Sequence, residues 1–324
     1  MSPMHALRLI AAIAACSVAA AAWAQPVKSY PAKPVRVVIP WPAGGLTDVA
    51  GRIVFQKMSE TLGQPFVIDN RGGASGTIGA DLVAKSPPDG YTLMVHSTTH
   101  VGNPHVYGKL PYDTLKDFVG VGLLVAQTGL LVVHPSLPVK SVRELVALAK
   151  ARPDQLLYAS SGSGSFSHLA IALLTSMTGA RMVHVPYKGG GPSTTALVSG
   201  ETQLLVGSPA AVLTQIKAKR LRLLAVTSDT RLSQFPEVPT VAEAGVPGYE
   251  FRGWVGVLAP AGTPKAIIDK LNAEIKNAMD SPDTIKRLES FEPWTMTPEQ
   301  TAARIRSDYD KYGQLIKLTG VRNE

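Results

Sequence analysis

Short runs of β-branched and other apolar residues alternate with amphipathic helical patterns along most of the chain, and this alternation constrains the fold more than any other feature. It is typical of α/β proteins, in which strands and helices follow one another and the sheets are mostly parallel. We therefore predict an α/β fold. The predicted strands cover residues 35–39, 66–69, 91–95, 119–125, 130–133, 156–159, 182–185, 203–206, 221–227 and 254–259.

The sequence indicates where two of the helices between these strands begin. Thr47 and Asp48 are predicted to cap a helix that Gly63 closes, since glycine readily adopts the left-handed conformation that ends many helices. Ser141, followed three residues later by Glu144, forms a capping-box pattern at the start of another helix.

The first 24 residues have the layout of a secretory signal peptide. Arg8 precedes a short apolar run, and small residues end this segment before Gln25, where we place the cleavage site. A membrane anchor is the alternative, but about 14 apolar residues are too few to span a bilayer. Lipidation at Cys16 is a second alternative, because the residues before it weakly resemble a lipobox. The remaining 300 residues (324 minus 24) suit two domains better than one.

Cysteine content and charge exclude several classes of protein. Cys16 is the only cysteine, so cleavage before Gln25 leaves no disulfide, Fe–S cluster or thiol chemistry. Removing Arg8 leaves 31 basic against 24 acidic residues, a net charge of +7. The positive charge is spread along the chain without a basic block, which argues against nucleic-acid binding. It is compatible with an anionic ligand or an acidic membrane surface.

Four glycine-rich segments combine glycine with hydroxyl or amide groups at predicted strand ends. They cover residues 42–48, 70–76, 160–168 and 186–193. Such a turn brings backbone N–H groups close to a ligand, and the following helix adds about half a positive charge, so these junctions suit an anion. Tight turns with a purely structural role are the alternative. The segments match neither the Walker pattern nor the dinucleotide fingerprint, which disfavours a nucleotide.

Two of these junctions resemble each other. Residues 37–47 can be aligned without gaps on residues 183–193, and each stretch reads as strand, proline, aromatic residue, glycines and a hydroxyl at a helix start. The offset of 146 residues is near half the exported chain. Two lobes that present the same junction would explain the similarity. Chance similarity between glycine-rich turns is the alternative.

A serine hydrolase is the main enzymatic alternative. Ser161, Ser163 and Ser165 lie in a predicted strand-to-helix turn, as a nucleophile would, and His168 follows closely. However, no Gly-x-Ser-x-Gly pattern surrounds these serines, and His168 is better placed to cap the helix than to abstract a proton.

Charged and metal-ligating side chains give weaker signals. Arg71 and Lys188 could bind a carboxylate, and arginine can do so with two parallel hydrogen bonds, although either residue could instead brace its loop. His96, His100 and His105 are spaced four and five residues apart, with no carboxylate or cysteine among them, so we predict no metal and no cofactor.

Taken together, the motifs resemble one family along nearly the whole exported chain: the extracytoplasmic solute receptors of tripartite tricarboxylate transporters, also called the Bug family. The segments that carry the resemblance are YPAKPVRVVIPWPAGGLTDVAGR, LGQPFVIDNRGGASGTIGADLVAKSPPDGYTL, LPYDTLKDF, HLA, HVPYKGGGP, FPEVPTVAEAGVPGY and WVGVLAPAGTPKAIIDKLN.

This resemblance implies a two-lobed periplasmic-binding-protein fold of type II. Each lobe would be a mostly parallel sheet flanked by helices, and two crossovers would join the lobes. Lobe 1 would comprise residues 25–125 and 251–324, and lobe 2 residues 126–250. The resemblance also implies a periplasmic, non-enzymatic receptor that closes on its ligand by hinge motion.

The resemblance further implies a small carboxylate ligand: a dicarboxylate, a tricarboxylate, an acidic amino acid or an aromatic acid. The implied partners are integral membrane permease subunits of the transporter, with a sensor kinase as the alternative, and we expect a monomer that binds no nucleic acid. The predicted ligand-binding residues are Trp41, Ala43, Gly44, Gly45, Thr47, Asp48, Arg71, Gly73, Ala74, Ser97, Thr98, Ser160, Ser161, Ser163, Gly164, Ser165, His168, Tyr187, Lys188, Gly189, Gly190 and Ser208.

The chain departs from the family pattern near residue 203. Relatives usually carry Gly-x-Val-Asp before a Met-Phe strand, whereas Gln203 stands here in place of the acid. Gly207 and Ser208 follow where that strand would reach the cleft, so the distal pocket is predicted to be roomy. Trp41, with Tyr187 expected opposite it, would suit a flat ligand such as an aromatic carboxylate.

Overall fold

The computed structural model describes residues 30–288 and 291–321. The predicted signal peptide, its cleavage site and Cys16 lie outside this part of the chain. Eleven strands are found in the described residues: β1 (Val35–Ile39), β2 (Phe66–Asn70), β3 (Thr92–Ser97), β4 (Phe118–Thr128), β5 (Leu130–Val133), β6 (Leu157–Ser160), β7 (Val183–Pro186), β8 (Leu204–Gly207), β9 (Arg222–Val226), β10 (Arg252–Pro260) and β11 (Glu292–Pro293).

Helices connect and cover these strands. Within the described ranges they are α1 (Leu46–Leu62), α2 (Thr77–Ala84), α3 (Thr99–Val106), α4 (Val142–Ala151), α5 (Phe166–Thr178), α6 (Gly190–Val198), α7 (Pro209–Lys217), α8 (Lys265–Met279), α9 (Pro282–Arg287) and α10 (Pro298–Thr319). None of the helices in residues 30–288 and 291–321 combines the length and apolar character needed to cross a membrane.

The strands form two sheets, each flanked by helices. The first sheet has the order β11-β4-β10-β3-β1-β2 and forms lobe 1, and the second has the order β7-β6-β8-β5-β9 and forms lobe 2. The predicted α/β class is therefore confirmed, and each of the ten predicted strands is present within three residues at either end. The predicted residue limits of the lobes stay a prediction. Strand β4 continues past residue 125 to Thr128.

Both sheets are mixed, which corrects the expectation of mostly parallel sheets. The pairs β1–β2, β1–β3, β6–β7 and β6–β8 are parallel. The pairs β10–β3, β10–β4, β11–β4, β5–β8 and β5–β9 are antiparallel. The two crossings between the sheets explain much of the difference. The chain leaves the first sheet along β4, enters β5 after Gly129 and returns from β9 to β10, so the outgoing and returning strands run in opposite directions.

The predicted helix ends are only partly correct. Ser141 caps α4 by accepting a hydrogen bond from the backbone N–H of Glu144, as predicted. Gly63, at φ +65°, closes α1, also as predicted. The predicted cap at Thr47 and Asp48 is wrong, because α1 begins earlier, with Gly45 as its N-cap.

The C-terminal helix α10 packs against both lobes. It contacts α3 and β4 of lobe 1 and α5 of lobe 2. Asp308 of this helix accepts a hydrogen bond from the indole nitrogen of fully buried Trp254 at 2.8 Å. Tyr312, one turn later, is buried against Gly102 and Phe251. These contacts hold helix α10 against the region where β10 returns from lobe 2.

Candidate functional site

A cleft lies between the two lobes, at the ends of strands from both sheets. The residues that line it come from the ends of β3 and β8, from the segments after β1, β3, β6, β7 and β8, and from β4. We call β4 the hinge strand because the chain crosses from it into lobe 2. The lining residues are Trp41, Pro42, Ala43, Gly45, Leu46, Thr47, Ser97, Thr99, Gln127, Ser161, Phe166, Ser167, Gly190, Gly191, Ser193, Leu205, Val206, Gly207, Ser208 and Ala211.

Five helices begin at this cleft. Helices α1 and α3 point their N-termini into it from lobe 1, and α5, α6 and α7 do so from lobe 2. Each helix N-terminus is equivalent to about half a positive charge, so the five N-termini give the cleft a positive electrostatic potential. The backbone alone therefore makes the cleft favourable for one or two negative charges.

Four of these five N-termini have no side-chain cap. The N-cap residues are Gly45 for α1, Thr98 for α3, Gly189 for α6 and Ser208 for α7, and no side chain accepts a hydrogen bond at any of these caps. The first N–H groups of a helix have no partner within the helix. At α6 and α7 a proline (Pro192, Pro209) removes one first-turn donor, and the N–H of Ala211 already bonds to the carbonyl of Ser208. The remaining uncapped N–H groups, such as those of Gly190 and Gly191, are available as donors to a ligand.

No acidic, basic or histidine side chain is found among the residues that line the cleft. The polar part of the wall consists of hydroxyl groups, backbone amides and one carboxamide. The apolar part is formed by Trp41, Pro42, Ala43, Leu46, Phe166, Leu205, Val206 and Ala211. An anionic group would therefore be balanced by neutral hydrogen-bond donors and helix termini, with an apolar surface beside them.

Asp48 organises the loop before α1 instead of facing the cleft. Its buried carboxylate accepts hydrogen bonds from the backbone N–H of Gly44, the guanidinium of Arg52 and the amide of Asn70, each at 2.9 Å. Burial disfavours the charged carboxylate, but these hydrogen bonds outweigh it and lower the pKa of Asp48. The side chain thus stays ionised and fixes the turn that precedes α1.

Two histidines, His168 and His184, contact the loop at residues 160–168 and stabilise its conformation. The ring of His168 stacks on that of His184 with centroids 3.7 Å apart, and Nδ1 of His168 accepts a hydrogen bond from the N–H of Gly164. Nε2 of His184 contacts the hydroxyl of Ser160. Burial lowers the pKa of His168 to about 3, with a smaller contribution from His184. Burial also lowers the pKa of His184 to about 4.

This geometry does not assemble a serine nucleophile. The hydroxyl of Ser165 caps α5 by accepting from the N–H of His168, and it also contacts the hydroxyl of Ser167. Ser160, which does contact a histidine, is completely buried and does not line the cleft. His168 already uses its Nδ1 atom to accept from Gly164, so it is not positioned to activate a serine hydroxyl.

The loop at residues 70–76 contacts lobe 2 at the edge of the cleft. Gly73, Ala74, Ser75 and Gly76 all have positive φ angles, and Ser75 donates a hydrogen bond to the carbonyl of Ser163. Gly73 and Ala74 themselves do not line the cleft.

The two predicted cationic side chains lie away from the cleft lining. Arg71 binds Asp69 at 2.8 Å, so it braces its own loop. Lys188 and Tyr187 are not part of the lining, and the hydroxyl of Tyr187 donates to the carboxylate of Glu201 at 2.6 Å.

No group of three or more metal-ligating side chains is found in residues 30–288 and 291–321. His96 and His100 are fully buried with ring centroids 5.4 Å apart, whereas Nε2 of His105 contacts the carbonyl oxygen of Tyr309. Burial lowers the pKa of His96 well below its usual value and that of His100 to about 4. These rings form part of the packing beneath Trp41, which meets His96 edge to face.

Comparison with known families identifies the kind of protein that carries this cleft. The family model described as "Tripartite tricarboxylate transporter family receptor" matches residues 50–321. The chain belongs to this receptor family. The members and structural neighbours are solute-binding proteins and not enzymes, which confirms the non-enzymatic prediction.

Curated relatives of the receptor match it over almost its full length. A UPF0065 protein in the tcbD-tcbE intergenic region of Pseudomonas sp. (strain P51) is 40% identical, covering 95% of this chain and 93% of its own. Protein BugT of Bordetella pertussis (strain Tohama I) is 37% identical, covering 98% of this chain and 99% of its own.

Two solved structures resemble the receptor and contain carboxylates. R. palustris Rpa4515 with adipate has a TM-score of 0.87 and 37% identity, covering 90% of this chain and 99% of its own. MatC from Rhodopseudomonas palustris with bound malate has a TM-score of 0.83 and 32% identity, covering 89% of this chain and 100% of its own. The predicted periplasmic-binding-protein fold is thereby confirmed.

The receptor's cleft is lined by eight of the residues predicted from sequence. These are Trp41, Ala43, Gly45, Thr47, Ser97, Ser161, Gly190 and Ser208. The other predicted residues lie behind or beside the lining, and their contact with a ligand stays a prediction: Gly44, Asp48, Arg71, Gly73, Ala74, Thr98, Ser160, Ser163, Gly164, Ser165, His168, Tyr187, Lys188 and Gly189.

Sequence reasoning did not select several residues of the receptor's lining. Thr99, Ser167 and Ser193 occupy the first turns of α3, α5 and α6, where a predicted helix start after a glycine or hydroxyl residue could have indicated them. No local sequence pattern marks Gln127 of the hinge strand as a lining residue, because it reaches the cleft only when the two lobes pack together.

Proposed function

We propose that this receptor is exported to the periplasm, captures a small organic carboxylate in the interlobe cleft and delivers it to the permease subunits of a tripartite tricarboxylate transporter. One observation carries the binding part of the proposal: four helix N-termini without side-chain caps meet at a cleft without ionisable side chains. Backbone N–H groups and helix dipoles together are a recognised arrangement for binding an anion.

The apolar wall favours an organic acid over an inorganic anion. Leu46 from lobe 1 and Phe166 and Leu205 from lobe 2 offer surface to a carbon skeleton, which phosphate and sulfate lack. The related proteins with adipate and malate support a carboxylate for this chain as well. Among carboxylates, an aromatic acid stays part of the proposal because Trp41 lines the cleft.

Ligand capture would be coupled to closure of the lobes. Two stretches of chain cross between the sheets, at Gly129 and between β9 and β10. Lobes joined by such crossovers can close around a ligand by a hinge motion. We further propose that residues 25–125 and 251–324 move as lobe 1 and residues 126–250 as lobe 2, that residues 1–24 are removed on export and that the receptor acts as a monomer.

Thermal unfolding of the mature protein against a panel of carboxylates tests this function. Ligand at 100 times its dissociation constant should stabilise the folded state by about 2.7 kcal/mol, and titration calorimetry would then give the affinity. The panel should contain adipate, malate, citrate, glutamate and benzoate, with inorganic phosphate and neutral sugars as controls. Stabilisation by sugars but by no organic acid would refute carboxylate binding.

Delivery to a transporter needs a separate test from binding. Deleting the receptor gene should abolish uptake of the acid identified in the panel, and restoring the gene should recover it. A receptor that instead feeds a sensor kinase would leave uptake intact and remove induction of gene expression by that acid.

A further inference from the structure

Gln127 occupies an unusual position in the cleft. It lies near the end of β4, two residues before the chain crosses at Gly129 into lobe 2, and it is the longest polar side chain of the lining. All other polar side chains in the lining, apart from the indole of Trp41, are serine and threonine hydroxyls. The carboxamide of Gln127 therefore reaches the cleft from the hinge, whereas the helix N-termini reach it from the two lobes.

The neighbouring strand is built to make room for this side chain. Gly253 of β10 pairs directly with Gln127, and a Cβ atom at Gly253 would lie 2.3 Å from the hydroxyl of Thr98 and 3.3 Å from Oε1 of Gln127. Because any larger residue at position 253 would collide with Thr98, the glycine keeps the carboxamide and the hydroxyl in place above the strand.

Among the described residues, the carboxamide of Gln127 has a hydrogen-bond partner at its oxygen only. Oε1 of Gln127 accepts a hydrogen bond from the hydroxyl of Thr98 at 3.4 Å. This contact directs the amide nitrogen, with its two N–H donors, away from Thr98. Within residues 30–288 and 291–321 no hydrogen-bond partner of this nitrogen is found, although Gln127 lines the cleft.

We propose that Gln127 determines ligand specificity by binding a second acceptor group of the ligand beside the N-terminus of α3, whose N-cap Thr98 contacts Gln127, while the N-termini of α1, α6 and α7 hold the first carboxylate. The receptor then prefers acids with an acceptor at both ends, dicarboxylates above all, over acids that end in an apolar group. This inference rests on the proposed function and identifies Gln127 as the residue that determines which carboxylates bind most tightly.

The remaining lining explains why a single residue can have this effect. Phe166, Val206 and Leu205 are apolar and give no hydrogen bond to the middle of a ligand. Among the described residues that line the cleft there is no lysine, arginine or histidine to bind a second anionic group. An acceptor group near the hinge is therefore expected to bind the two N–H donors of the Gln127 amide, beside the hydroxyls of Ser97 and Thr99.

Two acids of equal chain length provide the test. Adipate and hexanoate both have six carbons, and they differ in that a methyl group replaces one carboxylate. Their dissociation constants should be measured by titration calorimetry for the mature wild type, Gln127→Met and Gln127→Glu. Methionine keeps the length of the side chain and removes its donors, whereas glutamate places a negative charge where the amide nitrogen stood.

Wild type should bind adipate more tightly than hexanoate. Gln127→Met should weaken adipate binding about 10- to 100-fold, the range of a hydrogen bond to a charged group, and change hexanoate binding less than about threefold. Gln127→Glu should weaken adipate further through repulsion. Gln155→Glu, at an exposed position far from the lining, is the matched control and should bind both acids like wild type.

The outcomes separate this inference from the function on which it rests. If wild type binds neither these acids nor any carboxylate of the panel, the proposed function fails and the inference fails with it. If wild type binds carboxylates but both Gln127 variants keep its adipate-to-hexanoate ratio, only the inference is overturned. An equal loss of affinity for both acids in Gln127→Met, with unchanged thermal stability, would also overturn it. Gln127 would then maintain the shape of the cleft without distinguishing one acid from the other.

Discussion

The hydroxyl of Ser75 donates a hydrogen bond to the backbone carbonyl of Ser163 at 2.7 Å, and this bond connects lobe 1 to lobe 2 beside the cleft. A second contact lies nearby, since a Cβ atom at Gly162 would lie only 2.7 Å from the Ser75 hydroxyl. The carbonyl of Ser75 in turn accepts from Asn103 at 3.1 Å, which ties the loop to α3. The two lobes therefore meet through the backbone of one glycine-rich loop and a side chain of another.

Removal of this interlobe bond should weaken ligand binding. Ser75→Ala deletes the donor, and a single hydrogen bond contributes about 0.5–1.5 kcal/mol, so we expect a roughly 2- to 10-fold higher dissociation constant. Titration calorimetry with the best acid of the panel measures it. Ser86→Ala is the matched control, because that hydroxyl donates to a carbonyl within lobe 1. An unchanged affinity in Ser75→Ala would show that this bond does not contribute to closure.

A side chain added at Gly191 should block the cleft. Gly191 lines it, its φ lies outside the left-handed region, and a Cβ atom there meets no atom within 4 Å. Gly191→Leu should therefore abolish ligand-induced stabilisation, while the unfolding free energy of the unliganded protein stays within about 0.5 kcal/mol of wild type. Ala273→Leu, on the exposed side of α8, is the control for an added leucine. Full binding by Gly191→Leu would place the ligand elsewhere.

Neutralising Asp48 should lower the stability of the folded protein. Asp48→Asn removes the charge that receives hydrogen bonds from Gly44, Arg52 and Asn70, and we expect a loss of about 1.5–3 kcal/mol in unfolding free energy. Asp269→Asn is the matched control. It breaks the exposed helical pair with Lys265, at the same four-residue spacing, and should cost less than about 1 kcal/mol. Equal losses in both variants would contradict the special role of Asp48.

The buried His168 should make the receptor less stable in acid. Its folded pKa, about 3, lies below the unfolded value of about 6.5, so between these pH values the unfolded chain binds a proton that the folded chain does not. Stability should consequently fall as the pH decreases from 6 to 4. His168→Asn keeps an acceptor for the N–H of Gly164 without titrating, and it should reduce this slope by about 1.4 kcal/mol per pH unit.

Urea unfolding at pH 6, 5 and 4 measures the slope for the wild type and the variant. The remaining buried histidines keep part of the acid sensitivity in both proteins, because burial lowers the pKa of His96, His100 and His184 as well. Parallel stability curves for wild type and His168→Asn would contradict the prediction.

Sequence reasoning located the elements of the fold better than the details of the site. The strands were predictable because alternation and β-branched runs are local properties of the chain. The parallel or antiparallel direction of each pair was not, since it depends on where β4 and β10 meet after a separation of more than a hundred residues. Asp48 shows the same limit, because its role follows from the distant amide of Asn70 and the nearby guanidinium of Arg52.

The sequence by itself determined that the chain alternates strands and helices, that glycine-rich turns precede several helices and that the protein resembles a family of solute receptors. These properties are encoded within short stretches, so they can be predicted without knowing which stretches meet. The tertiary structure alone decided which helix N-termini converge, which glycines leave the cleft open and that Gln127 of the hinge strand faces the same space. Such relationships arise only when two lobes, separated along the chain, pack against each other and bring distant backbone donors together.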